Sequence, residues 1–357
     1  MLKSIRQAQD PEFTEGRVQH DNFRNMVDLS IIIVSYNTKD FIGNCLASIL
    51  SSIKGKFDYE IIVVDNASTD GSVQAIQNSI PIKSGQNDPL RRSFPPRLPS
   101  RRNEVDGEAG SQASSSKLKI IENKENVGFS KANNIGIKQA KGRYLLFLNP
   151  DTVVYPNTLE TMVDFMDAPA DAGASTCRVV MPNGELDDAS HRGFPTPWNA
   201  FAHFLGLSRI FPKSRLFGGY SLGWMDLSKI HEIDACAGAF MIVRRKAGEE
   251  VQWWDEDYFF YGEDIDFCYK LKQKKWKIYY VPKVSILHYK GVSGGIKNIS
   301  KEITTADRET KERATRARFE AMKIFYNKHY IKKYPSIITW LVFCGINIKL
   351  WFAAKRV

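Results

Sequence analysis

The sequence has few cysteines, no glycine-rich phosphate loop and no apolar leader, and each shortage excludes a class of protein. Cys45, Cys177, Cys236, Cys268 and Cys344 are an odd number with no C-x-x-C pair. That argues against a disulfide framework or a zinc ribbon and fits reduced thiols in a cytosolic compartment. No G-x-G-x-x-G follows the first apolar run and no G-x-x-x-x-G-K-[ST] occurs anywhere, which argues against a dinucleotide dehydrogenase and a P-loop NTPase. Residues 1–28 form a polar, charged N-terminal extension with no apolar centre, so no signal peptide is expected. Near the C-terminus, the uncharged run 336–348 is 13 residues long, short of the roughly 20 that a bilayer crossing takes, and counting on through Lys349 to Ala354 makes a marginal span.

What is present is ordinary globular material: 43% hydrophobic and 25% charged over 357 residues. At about 150 residues per domain this length suits two domains, or one large domain with additions. The net charge of +10 favours anionic partners such as nucleic acid, acidic lipid or a phosphorylated substrate, without choosing among them.

Short runs rich in Ile, Val and Leu at Leu29–Ser35, Tyr59–Asp65, 117–123 and 143–149 read as buried strands. Helical patterns fall between them. Residues 38–52 place Phe41, Cys45, Leu46, Ile49 and Leu50 on one face, and residues 130–140 follow Ser130 as an N-cap. Such alternation predicts an α/β fold with a mostly parallel sheet. Residues 82–116, rich in Pro, Ser and Arg and without periodicity, read as a disordered surface insertion. Further on, 198–211 reads as an amphipathic helix, 239–245 and 277–281 as strands, and 263–274 as a helix. From 301 to about 330 the pattern is a basic helix, and 13 Lys and Arg stand against 5 Asp and Glu from 301 onward. The aromatic, basic 336–357 segment suits an interfacial helix on an anionic membrane; a core or oligomer helix is the alternative.

Polar clusters stand where open α/β sheets bind ligands, beyond the strand ends. They are Ser35-Tyr36-Asn37-Thr38, Asp65-Asn66-Ala67-Ser68, Asn126-Val127-Gly128-Phe129 and Asn149-Pro150-Asp151. Asp151 closes a buried strand, so its carboxylate is able to reach a hard cation such as Mg²⁺ or Mn²⁺; an Asx-turn after Pro150 is the alternative. Glu263, Asp264 and Asp266 crowd a helix start beside four aromatics. They suit either the helix dipole or a general base whose pKa is raised by burial and repulsion.

The motifs IIIVSYNT, VVDNASTDGS, NVGFSKANNIGIKQAKGRYLLFLNPDTVV, CAGAFMIVRR and DEDYFFYGEDIDFCYKLKQKKWKIYYVPKVSILHYKGVS together resemble the family 2 glycosyltransferases of GT-A fold. The likeness is nearest the bacterial rhamnosyltransferase-like branch and covers residues 29–295 apart from the insertion. It implies inverting, metal-dependent sugar transfer from a nucleotide-diphosphate donor to a lipid-linked or polysaccharide acceptor in cell-envelope glycan synthesis. By motif, Asp65 and Asn66 with Ser35, Tyr36 and Asn37 would hold the donor base, and Gly128, Lys131 and Asn133 would stand near the diphosphate. Asn149 and Asp151 take the place of a DxD metal motif that His288 completes. Asp264 resembles the general base, with Glu263 beside it. Gly238, Ala239, Phe259, Phe260 and Tyr261 would shape the donor–acceptor junction. The sequence departs from the pattern in having one carboxylate in NPD where DxD has two, and in Lys270 and Lys275, where the branch carries Arg and Gly. A cytoplasmic protein, peripheral on the inner membrane face, follows from this reading, and no nucleic-acid partner is expected. A non-catalytic scaffold of the same fold and an Arg-rich nucleic-acid binder are the competing readings.

Overall fold

The computed structural model describes residues 27–79, 117–292, 294–295, 304 and 306–355. The expected insertion at 82–116 and almost all of the N-terminal extension lie outside the described residues.

Four strands form a parallel half-sheet: β1 (Leu29–Ser35), β2 (Tyr59–Asp65), β3 (Leu118–Glu122) and β4 (Tyr144–Leu148). β1 and β4 are buried along their whole length. That is why both read as unbroken apolar runs rather than as alternating ones. The edge strand β3 is instead half-exposed, with Lys119 and Glu122 facing out. Leu29, Ile31 and Ile33 point into one core, with Ile42, Leu46 and Ile49 of α1 (Lys39–Ser52); Ile32 points into the other, with Leu145 and Phe147. Each such side chain contributes about 1.5–3 kcal/mol by leaving water.

The remaining strands make the sheet mixed rather than mostly parallel as expected, with four parallel and four antiparallel strand pairings among the described residues. β5 (Thr152–Val154), β6 (Ala172–Val180), β7 (His231–Ile233), β8 (Phe240–Arg244) and β9 (Lys277–His288) extend it to the order β3-β2-β1-β4-β8-β6-β9-β5, with β7 also on β9. β8 runs antiparallel to both β4 and β6, while β6 and β9 pair in parallel. The sheet is mixed because β5, β7 and β8 enter against the direction of their neighbours. β5, β6 and β7 carry no isolated signal in the sequence pattern, and β9 continues past residue 281 to His288 through a bulge against β6.

The helices are α2 (Ser72–Asn78), α3 (Phe129–Ile137), α4 (Thr158–Asp167), α5 (Pro197–Phe204), α6 (Leu207–Ile210), α7 (Arg245–Glu250), α8 (Glu263–Gln273), α9 (Arg308–His329) and α10 (Ser336–Ala354). Two expectations about the helices are corrected. Ser130 is not the N-cap of α3. That place belongs to Gly128, because a tertiary hydrogen bond from the Phe129 N–H to the Phe259 carbonyl at 2.8 Å starts the helix earlier. The single helix expected at 198–211 is two, broken where Gly206 turns left-handed at φ 74°. Lys275 also adopts a left-handed backbone, φ 67°, which accounts for glycine at that position in the resembling branch.

α9 packs on α8 through an aromatic cluster of Tyr258, Tyr269, Phe325, Tyr326 and Tyr330, and α10 joins it through Val342 and Phe343. The Asp307 side chain caps α9 by accepting from the Thr310 N–H at 2.8 Å. Only Ile346 of α10 is buried. Its opposite face leaves Ile337, Trp340, Leu341, Ile348, Trp351 and Phe352 exposed, so α10 is no core helix of this chain.

Candidate active site

The in-register pairs Ser35↔Asp65 and Asp65↔Glu122 bring the polar ends of the parallel strands to one rim. That rim opens on a cavity of about 890 Å³, which continues between α5 and the α9–α10 pair.

At the first strand ends, Tyr36, Asn66 and Gly128 line the cavity. Asp65 is buried; its Oδ2 accepts from the Ser68 N–H at 2.9 Å, and its Oδ1 has no hydrogen-bond partner among the described residues. Asn66 instead spends its amide on the following loop. Its Nδ2 donates to Asn126 Oδ1 at 2.7 Å, and its Oδ1 accepts from Asn123 Nδ2 and the Val127 N–H. Ser35 is buried with its hydroxyl on Thr38 at 2.9 Å, and Asn37 joins the 68–69 loop through its N–H and Oδ1. Neither Lys131, which is exposed, nor Asn133, whose Nδ2 donates to the Phe129 carbonyl at 2.9 Å, lines the cavity. Gly128 does, at φ +86°; a Cβ there would stand 2.7 Å from the Phe259 carbonyl oxygen. The close approach binds the rim loop to the aromatic segment.

Strand pairing assembles the next corner. β5 and β9 pair with Thr152 opposite His288, and the Tyr289 N–H donates to the Asp151 carbonyl at 3.0 Å. Asp151 Oδ1 therefore lies 3.4 Å from His288 Nε2, which is also 3.4 Å from Asn149 Nδ2. The other ring nitrogen, Nδ1, is held by Asp187 Oδ2 at 2.9 Å, and Lys290 Nζ reaches Asp187 Oδ1 at 2.6 Å and Asp188 at 2.7 Å. Burial works to lower the His288 pKa, but the charge of Asp151 and hydrogen bonds to Asp151 and Asp187 outweigh it, raising it to about 9. Burial likewise opposes ionisation of Asp187, yet His288 and Lys290 hold it far below the usual carboxylate range. Among the described residues no three His, Cys, Asp or Glu side chains converge as a metal cluster. What does converge is one carboxylate beside an imidazole whose far nitrogen is fixed by a second carboxylate. That donor set fits a hard divalent cation completing its shell with water and substrate phosphate oxygens.

The third corner is the start of α8. Gly262, left-handed at φ 83°, turns the chain so that Glu263 and Asp264 line the cavity. Asp266, two residues further round the helix, is buried away from it against His329 and Tyr258. Asp264 Oδ2 accepts from Arg192 Nη2 at 2.5 Å, while Arg192 Nε has no partner among the described residues. Gly238, Ala239, Phe259, Phe260 and Tyr261 line the adjoining wall. Arg192, Asp187 and Lys290 are the residues that sequence reasoning missed. Their only local signals are an Arg in a segment, 189–225, that has no acid, and a Lys two positions beyond His288.

Glu263 is buried and its Oε2 has no partner among the described residues. Burial, then repulsion from Asp264, pushes its pKa from 4.5 to about 8. Between those values the folded protein binds more protons than the unfolded chain, so stability falls as pH rises through that window. Glu263→Gln removes this loss. Its unfolding free energy should match or trail wild type near pH 5 and exceed it near pH 8.5, by at most about 5 kcal/mol. Parallel pH profiles from urea unfolding would refute the shift.

Comparison with known proteins adds an independent line. The family model described as Glycosyl transferase family 2 matches residues 30–93 and 106–251, ending before α8. Rhamnosyltransferase WbbL of Escherichia coli K12 is 30% identical over 171 residues, a match spanning 45% of this chain and 61% of that protein's own length. The N-acetylglucosaminyl-diphospho-decaprenol L-rhamnosyltransferase of Mycobacterium tuberculosis H37Rv is 23% identical over 278 residues, covering 75% of this chain and 78% of that protein. Among solved structures, GalNAc-T7 with UDP, GalNAc and Mn²⁺ superposes with a TM-score of 0.50 at 16% identity, over 74% of this chain and 44% of that one. At that identity the likeness shows the fold.

Proposed function

The chain belongs to glycosyl transferase family 2, and from that premise we propose that it moves a sugar, with inversion, from a nucleotide-diphosphate donor to a hydroxyl of a lipid-linked or polysaccharide acceptor of the cell envelope. The enzyme works in the cytoplasm, against the inner membrane face. Two relatives are named rhamnosyltransferases, so a rhamnose nucleotide is the first donor to test.

The observation that carries this reading is one cavity lined by Tyr36, Asn66, Gly128, Asp151, His288, Glu263 and Asp264. Asp65, whose buried Oδ1 next to that rim has no hydrogen-bond partner among the described residues, receives a donor-base N–H. Asp151 and His288, with Asn149 acting directly or through water, would hold Mg²⁺ or Mn²⁺, which would supply positive charge against the leaving diphosphate. Asp187 and Lys290 keep the His288 ring in place. Asp264 takes the proton from the acceptor hydroxyl as that oxygen attacks the anomeric carbon, opposite the departing diphosphate. Arg192 positions the Asp264 carboxylate. Glu263, protonated at neutral pH, adds no second negative charge there and has its proton available for a hydrogen bond to the acceptor. No covalent enzyme intermediate is needed.

A thermal-shift panel of nucleoside diphosphates and nucleotide sugars, with and without each metal, tests the donor assignment. One nucleotide that raises the midpoint, followed by mass-spectrometric detection of sugar transfer and release of the nucleoside diphosphate, is the expected result. Binding without any transfer would favour the non-catalytic scaffold. Absence of any shift, with salt-sensitive nucleic-acid binding in its place, would overturn the proposal.

A further inference from the structure

The apolar arm of the cavity is walled on one side by Trp198, Phe201 and Phe204 of α5 and on the other by Ile338, Leu341 and Ile346 of α10. Lys349 Nζ on α10 stands 3.8 Å over the Phe204 ring, so the two walls touch. Around this mouth, large apolar side chains face outward from both walls: Leu205 (58% exposed), Ile210 (65%) and Leu216 (61%) beyond α5, and Trp340 (61%) and Trp351 (54%) on α10. A patch of this size and composition on a folded surface marks a contact with something apolar.

Charge identifies that contact. Residues 189–225 contain no Asp or Glu, and none follows Glu320, whereas Arg209, Lys213, Arg215, Lys332 and Lys355 lie within these stretches and are exposed. Lys355 Nζ sits 3.5 Å over the Trp351 ring, an aromatic and a cation side by side. An apolar face whose own segments carry cations and no carboxylate is complementary to an anionic lipid surface; Asp188 of the cavity lining lies outside those segments and is paired with Lys290 at 2.7 Å.

We infer that α5, α6 and the segment to Leu216 form, with α10, a single two-part face that docks in the interfacial layer of an anionic bilayer, so that the apolar arm of the cavity opens into the membrane. The helix lies in the membrane plane rather than across it. Its inner face is committed to α9, through Tyr326 with Phe343 (ring centroids 5.7 Å apart) and the Tyr326 hydroxyl with Thr339 (3.1 Å). A transverse α10 would drag charged α9 into hydrocarbon. The inference deepens the proposed function in one respect: a lipid-borne acceptor would reach Asp264 without leaving the bilayer. The docking face itself stands on α5, α6 and α10 alone.

Cosedimentation of the full chain with vesicles of about 30% phosphatidylglycerol in phosphatidylcholine tests it, against phosphatidylcholine alone. The triple variant Leu205→Glu, Ile210→Glu and Leu216→Glu, all outside the cavity wall, should bind anionic vesicles at least about tenfold more weakly. It should keep the nucleotide-induced thermal shift, which verifies its fold. In wild type, the same vesicles should slow hydrogen exchange in peptides covering 197–216 as well as 336–354. Undiminished binding by the triple variant, or protection confined to 336–354, would overturn the two-part face. So would wild-type protein that ignores vesicles and elutes as a dimer, since a second copy would then cover the patch. A failed donor reading shows itself differently, as intact vesicle binding with no nucleotide shift.

Discussion

Asp264→Asn should lower kcat by about 10²–10⁴-fold, the usual contribution of a positioned general base. The amide keeps the shape of the carboxylate and a contact to Arg192, but it cannot accept the acceptor proton. Because that proton moves only in the transition state, kcat should fall while the KM for donor changes little. The buried Arg192 loses its counter-charge, so about 1–3 kcal/mol of stability goes with it, and turnover belongs well below the unfolding midpoint. A folded Asp264→Asn protein with wild-type turnover would remove Asp264 from the mechanism.

Asp151→Ala should abolish the metal-dependent part of nucleotide stabilisation. A ligand at a hundred times its Kd stabilises the folded state by about 2.7 kcal/mol. If Asp151 and His288 hold the cation, the increment that Mg²⁺ or Mn²⁺ adds vanishes in the variant while any metal-free shift survives. The pH dependence runs in a defined direction. His288 carries a proton up to about pH 9, and a cation must displace it. In wild type the metal increment therefore grows as pH rises toward that value. Without metal, the His288 ion pairs stabilise the fold fully below its ordinary value of 6.5, and that contribution is lost as pH rises through about 9. A metal increment equal in wild type and Asp151→Ala would send the cation elsewhere.

The parallel half-sheet was legible because both of its faces are covered. β1 and β2 fall on the expected Leu29–Ser35 and Tyr59–Asp65, each a continuous apolar run ending in a polar residue. α8 was legible from its acid-rich first turn. β5 and β7, three residues each, were not, since so short a strand forms only when a partner supplies its hydrogen bonds. The 198–211 pattern showed an apolar face and concealed the break at Gly206, where a left-handed residue ends one helix and begins another.

Within the candidate site the division is similar. The motif positions pointed to Asp65, Asn149, Asp151, Glu263, Asp264 and His288, while Asn66 and Asn37 bond to Asn126 and Ser68, partners too distant for any spacing to reveal, and Ser35 and Asn133 bond locally to Thr38 and the Phe129 carbonyl. Arg192 stands 72 positions from the carboxylate it pairs with, and Asp187 stands 101 from the imidazole it orients.

By itself, the amino-acid order determined the α/β alternation, the polar strand ends and the acid-free character of 189–225 and of the chain beyond Glu320. These are properties of neighbouring residues, and burial on one or two faces writes them directly into local periodicity. Only the tertiary structure decided that β5 meets β9 with Thr152 opposite His288, that Asp264 meets Arg192 and that α5 meets α10. Such pairings follow from strand register and helix docking between distant segments, where many alternatives bury similar surface and only the assembled core selects one.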